Sequence, residues 1–80
     1  MAKEKPLTDV RRDALMEGLV RLTSNADMSQ VELAALCRLW LGRMLYNDID
    51  NNFQIEARAA SDPIVLAMVA EALRRGGVLG

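Results

Sequence analysis

The first third of the chain carries apolar residues at the spacing of an amphipathic helix. Leu15, Leu19 and Leu22 follow one another at i, i+4 and i+7, which places their side chains on one helical face. Thr8 is a typical N-cap residue, and the polar residues that follow the leucines are turn formers. The pattern therefore predicts a first helix over about Asp9–Thr23.

The next segment begins with the clearest local signal in the sequence. Ser29, with Glu32 three residues later, matches a capping box. The helix that it starts runs from Gln30 to about Tyr46 and has few polar residues on any side. A helix that is apolar all round must be buried all round, and a chain of 80 residues supplies few neighbours to cover it. We therefore expect a homodimer in which this helix meets the same helix of a second copy. The residues expected to form that contact are Ala35, Trp40, Leu41, Gly42 and Met44.

Polar loop formers interrupt the helical pattern after helix two, and residues 47–52 are predicted to form a loop. Residues 53–60 alternate like a strand, yet a lone strand has nothing to pair with, so a short third helix is expected. Asp62 as N-cap starts a last helix over Pro63–Arg75, with proline at its first position. Gly76 is expected at the C′ position that ends this helix.

These elements together predict an all-α fold, a small bundle of three to four short helices with a central, mostly apolar helix two. The expected organisation is a flexible N-terminal arm (1–7), a single helical domain (8–75) and a flexible C-terminal tail (76–80). The chain shows no internal repeat, so one small core is expected.

Composition bears on the chemistry that the chain can carry. Hydrophobic residues make up 51% of the chain but aromatic residues only 4%, which predicts an aliphatic core. There is no histidine and a single cysteine, Cys37, so the chain lacks a disulfide, the usual zinc ligand sets and a Ser/His or Cys/His pair. We therefore expect no catalytic residue, no metal ligand and no cofactor-binding residue, and we expect that the protein is not an enzyme.

Charge and hydropathy narrow the choice of partner and compartment. The formal net charge is −1, which gives no general attraction to a phosphate backbone, so nucleic acid is not the expected partner. No apolar run approaches the ~18 residues of a membrane span, and the single cysteine fits a reducing compartment. The expected location is the cytoplasm, with no membrane association.

Residues 48–62 hold four acidic side chains against one arginine, a larger negative excess than that of the whole chain. Acidic residues beside aromatic ones can steer and then anchor a basic partner surface. The residues expected to bind such a partner are Tyr46, Asp48, Asp50, Phe53 and Glu56. The competing interpretation is that this segment is only a solvated connection that caps a helix.

The functional hypothesis is a non-catalytic protein–protein interaction module: a small adaptor, inhibitor or regulator that covers a partner surface. By size and chemistry, bacterial or phage inhibitors of host machinery are comparable proteins. The alternative is a dimeric DNA-binding transcriptional regulator, because residues 29–36 resemble the first helix of a degenerate helix-turn-helix. That alternative depends on one basic face, formed by Lys3, Lys5, Arg11, Arg12, Arg74 and Arg75.

Overall fold

Four α-helices form the secondary structure of residues 7–25 and 27–78, the part of the chain that the computed structural model describes. Their bounds are α1 Asp9–Leu22, α2 Gln30–Leu45, α3 Asn52–Ala59 and α4 Pro63–Arg75. The predicted all-α bundle is therefore confirmed, and no predicted helix boundary is off by more than one residue. The predicted N-terminal arm falls almost wholly on residues 1–6, outside the described residues.

Local side-chain caps explain where the helices begin. The Thr8 hydroxyl accepts a hydrogen bond from the Arg11 backbone N–H at 3.1 Å, so the predicted cap of α1 is confirmed. At α2 both bonds of the capping box form: the Glu32 N–H donates to Ser29 Oγ at 3.2 Å, and the Ser29 N–H donates to Glu32 Oε1 at 2.9 Å. Each cap satisfies N–H groups that the first helical turn leaves without a partner.

The strand-like alternation after residue 52 does not produce a strand. Asn51 caps α3 by accepting a hydrogen bond from the Gln54 N–H at 3.2 Å, and Ile55 and Ala59 form its buried side at helical spacing. This i, i+4 pair faces α2, so tertiary packing selects the helical period over the alternating one. The expected third helix is confirmed.

The end of α4 differs from the expectation that Gly76 occupies C′. Gly76 is helical in backbone conformation, whereas Gly77 has φ +77°, the left-handed conformation that a C′ residue adopts. The Val78 N–H donates to the Leu73 carbonyl at 2.8 Å and the Gly77 N–H to the Arg74 carbonyl at 3.1 Å, which are the two bonds of a Schellman motif. Val78 also packs on the core. Residues 76–78 of the predicted tail therefore belong to the helix cap, and residues 79–80 lie outside the described residues.

Helix α2 lies at the centre and contacts α1, α3 and α4. Arg11 near the start of α1 bonds the Met44 carbonyl near the end of α2, so these two helices are antiparallel. Tyr46, just after α2, bonds Asp62, just before α4, so α4 also runs back along α2. Three helices thus pack on a helix whose sequence is apolar on nearly every side, and of its large apolar side chains only Val31 and Met44 stay exposed.

Two glycines allow the close contacts of α2. A Cβ atom on Gly18 would lie 2.5 Å from Trp40 Cη2, so α1 approaches the indole ring across a missing side chain. A Cβ atom on Gly42 would lie 2.5 Å from Ile55 Cγ2, so α3 approaches α2 in the same way. Both glycines stand inside helices, where their conformational cost is offset by this packing.

Candidate protein-binding surface

The connection between α2 and α3 and the first turn of α3 present an acidic and aromatic surface. Phe53 is 80% exposed although it is one of only three aromatic residues in the chain. Asp50 and Glu56 are exposed on either side of it in sequence. On a helix, Phe53 and Glu56 are neighbours at i, i+3. We call Asp50, Phe53 and Glu56 the Phe53 patch.

Tyr46, the other aromatic residue expected to bind a partner, is only 2% exposed. Its hydroxyl donates a hydrogen bond to Asp62 Oδ2 at 2.7 Å, and the Arg58 guanidinium lies 4.2 Å from the centre of its ring. The ring therefore offers almost no surface to another protein. Tyr46 has a structural role, because it joins the end of α2 to the start of α4.

Two of the four acidic residues in the 48–62 segment have partners within the chain. Arg58 Nη1 pairs with Asp48 Oδ1 at 3.2 Å, and the same guanidinium covers the Tyr46 ring. Asp62 accepts the Tyr46 hydroxyl and also caps α4 through the Ile64 N–H at 3.0 Å. Asp50 and Glu56 have no ion-pair partner within the residues that the structure describes. Asp50 and Glu56 are therefore the acidic residues of this segment that a partner can engage without competition from an internal contact.

The residues expected to mediate self-association are divided between core and surface. Leu41 is fully buried, and Gly42 is buried against Ile55 and Tyr46. Trp40 is half-buried over Gly18, and Ala35 is half-buried as well. Met44 is 40% exposed. Neighbouring helices of the same chain thus already cover Leu41 and Gly42, and helix two does not require a second copy to bury them.

The basic residues of the regulator hypothesis do not converge within the described residues. Lys3 and Lys5 lie outside that part of the chain. Arg11 is at the start of α1, while Arg75 lies beside Arg21 at its end. With a rise of about 1.5 Å per residue, these two ends of α1 are about 15 Å apart. In addition, Arg11 donates to the Met44 carbonyl at 2.5 Å, where it complements the negative end of α2.

The helix-turn-helix resemblance also lacks its turn. Residues 29–36 cap and begin α2, and the helix continues without interruption to Leu45. A recognition helix would need a turn after about Leu36. Residues 29–36 therefore form the first half of one long helix.

A shallow groove of about 380 Å³ lies between α1 and the end of α4, and sequence reasoning did not identify it. Its lining residues are Met16, Glu17, Val20, Arg21 and Arg75. Both helices end here, and arginines in the last turn complement the negative poles of helix C-termini. The charges of Arg21 and Arg75 therefore already interact with helix C-termini, and no other lining residue of the groove indicates a ligand.

Cys37 is fully buried, and burial raises the pKa of its thiol. A buried, protonated thiol is a poor nucleophile. Among the described residues, no group of three or more Cys, Asp or Glu side chains is arranged to hold a metal ion. In the same part of the chain, no helix is both long enough and apolar enough to span a membrane.

In comparisons with protein-family models, curated proteins and solved structures, nothing matches this chain.

The Tyr46 hydroxyl makes stability sensitive to alkaline pH. Burial, the hydrogen bond to Asp62 and the charge of Asp62 all raise the pKa of Tyr46 in the folded protein. A raised pKa favours the neutral phenol on folding, so its contribution is complete below the unfolded value of about 10 and is lost as pH rises above it. We expect the free energy of unfolding to fall above pH ~10 and Tyr46→Phe to remove that part of the decline. Urea titrations at several pH values measure it, and equal slopes for the two proteins would contradict the prediction.

Proposed function

We propose that this chain is a non-catalytic protein-binding module that covers a basic surface on another protein through the Phe53 patch. The observation that carries the proposal is the 80% exposure of Phe53 between two acidic side chains. The protein then acts as a small adaptor, inhibitor or regulator in the cytoplasm.

An exposed phenylalanine is suited to anchor a partner. Moving its ring from water into a pocket contributes about 2 kcal/mol to binding. The flat ring also has preferred packing geometries, which the side chains of leucine and valine lack. Phe53 lies in the first turn of α3, a helix that is fixed on α2 through Ile55 and Ala59, so little order has to be gained on binding.

The acidic residues of the patch determine which partner surfaces fit. Asp50 and Glu56 are unpaired within the described residues, so a basic partner gains their attraction without breaking an internal ion pair. Asp48 differs, because its carboxylate is paired with Arg58 at 3.2 Å. Rim charges of this kind speed encounter and are screened by salt. The partner is therefore expected to carry Lys or Arg around an apolar socket.

The test places a photoreactive benzoylphenylalanine at Phe53 and irradiates the protein in a lysate of its source cells. A matched control carries the same group at Val31, which is 77% exposed on α2 outside the patch. We expect a cross-linked protein with the Phe53 probe only, and mass spectrometry identifies it. The captured protein is then purified for titration.

Charge reversal within the patch tests the proposed chemistry. Asp50→Lys with Glu56→Lys should leave the helical circular dichroism unchanged, because both side chains are exposed. Association with the captured protein should slow at least tenfold at low salt and less at high salt. Undiminished binding contradicts the proposal, as does capture by the Val31 probe alone. Salt-sensitive binding of the unmodified protein to a random DNA duplex would instead favour the regulator.

A further inference from the structure

The first two turns of α4 expose only apolar side chains. The exposed residues between positions 63 and 70 are Pro63, Ile64, Leu66, Ala67 and Ala70. Ile64 is 49% exposed and Leu66 is 42% exposed. We call these five residues the α4 outer face. On α2, where the dimer contact is expected from the sequence, the exposed large apolar residues are Val31 and Met44, at opposite ends of that helix.

The shape of this face suits another helix. At 100° per residue, Pro63, Ala67 and Ala70 lie opposite the core-facing side of α4, and Ile64 and Leu66 lie to either side of that line. Small side chains along the middle with larger ones at the flanks form a shallow trough. Two helices that meet along such a trough can approach to about 8 Å.

The two ends of the α4 outer face carry opposite charge. Asp62, the N-cap residue at its start, is half-buried and carries a charge of −1. Two arginines and one glutamate at its end give a net charge of +1: Arg74, Arg75 and Glu71. Arg74 continues the middle line of the face, and its side chain is 64% exposed.

This distribution of charge matches a second copy in one orientation. When two α4 helices pack antiparallel about a twofold axis, each negative end meets the positive end of the other copy. Their helix dipoles also oppose one another, which is the favourable arrangement. Parallel packing would bring like charges together. The α4 outer face is therefore complementary in charge to the same face of a second, antiparallel copy.

We infer that the α4 outer face is a self-association surface, where two copies pack through antiparallel α4 helices. Ala67 and Ala70 lie at the twofold axis, and Arg74 of one protomer lies beside Asp62 of its partner. Five exposed residues provide at most a few hundred Å² per copy, less than the ~800 Å² per partner of a stable interface. The dimer is therefore weak and depends on concentration.

Sedimentation equilibrium from about 10 µM to about 1 mM tests the association. The mass of the unmodified protein should rise towards that of a dimer. Ala67→Glu puts a carboxylate in the middle of the face and should weaken association at least tenfold. The matched control is Ala14→Glu, the same change at an exposed helical position on α1. A monomer throughout this range, or equal association of Ala67→Glu and Ala14→Glu, overturns the inference.

Disulfide formation tests the orientation, and the buried Cys37 does not compete with an introduced thiol. In the antiparallel dimer, the two residues at position 67 are about 4.5 Å apart along the helix axes, and those at position 74 about 16 Å apart. A disulfide needs Cα atoms within about 7 Å. Mild oxidation should therefore cross-link Ala67→Cys and leave Arg74→Cys monomeric.

The reverse result has a definite meaning. Cross-linking of Arg74→Cys as fast as Ala67→Cys would show that the helices are not antiparallel, and no cross-linking of Ala67→Cys would remove the face from the interface. Neither variant changes the Phe53 patch, so these results and those of the partner experiment are independent.

Discussion

Asp62→Ala is expected to lower the free energy of unfolding by about 2–3 kcal/mol, because one carboxylate serves two helices. Its Oδ1 atom accepts the Ile64 N–H at 3.0 Å and caps α4, while Oδ2 accepts the Tyr46 hydroxyl at 2.7 Å. The loss of an N-cap costs about 1 kcal/mol, and a buried hydroxyl left without a partner costs about 1–2 kcal/mol more. Urea denaturation followed by circular dichroism measures the change.

A double-mutant cycle separates these two contributions. Tyr46→Phe removes the hydroxyl together with its need for a partner, so it should cost about 1 kcal/mol. In a Tyr46→Phe background, Asp62→Ala should cost only the free energy of the cap. The double variant should therefore be destabilised by less than the sum of the two single variants. Strict additivity would mean that the hydrogen bond between Tyr46 and Asp62 contributes nothing to stability. Pro63→Ala, at an exposed position beside the cap, is the control and should have a small effect.

Gly42→Ala is expected to destabilise the protein by about 1–3 kcal/mol, although alanine is the better helix former by about 1 kcal/mol. The new methyl group would lie 2.5 Å from Ile55 Cγ2 and 3.3 Å from Tyr46 Cε2, so α3 must move away from α2. Chemical denaturation measures the loss. Increased stability would show that α3 yields easily and that this contact is not tightly packed.

A second substitution tests the stated cause. Ile55→Leu removes the Cγ2 methyl group while keeping the side-chain volume, so it should recover part of the stability lost in Gly42→Ala. Ile55→Val keeps Cγ2 and is the matched control, which should give no such recovery. Equal behaviour of the two double variants would mean that the contact with Ile55 is not what opposes a side chain at Gly42.

Local signals in the sequence were sufficient to place the helices. The caps at Thr8, Ser29 and Asp62 each act within two or three residues, so the chain specifies them before it is folded. The same reasoning placed Asp50, Phe53 and Glu56 in or beside a polar connection, and in the structure all three are exposed. Whether they bind a partner stays a prediction.

The roles of single side chains depended on neighbours that are distant in the sequence. Tyr46 looks like a surface aromatic near a helix end, yet α4 brings Asp62 to its hydroxyl and α3 brings Arg58 over its ring. At the end of α4, either of two adjacent glycines could occupy the C′ position. Gly77 occupies it in the structure, where Val78 packs on the core. Neither outcome is encoded in local spacing.

Burial of the two apolar helices separates what the sequence determined from what the tertiary structure decided. The start of α4 is apolar on every side and α2 on nearly every side, and the sequence alone indicated that α2 would lack neighbours to cover it. In the fold, α1, α3 and α4 all pack against α2 and leave only Val31 and Met44 of its large apolar side chains exposed, whereas α4 packs on α1 and α2 and keeps its outer face exposed. Periodicity determines which side chains share a face of a helix, but burial of that face depends on how many other helices pack against it, and only the folded arrangement sets that number.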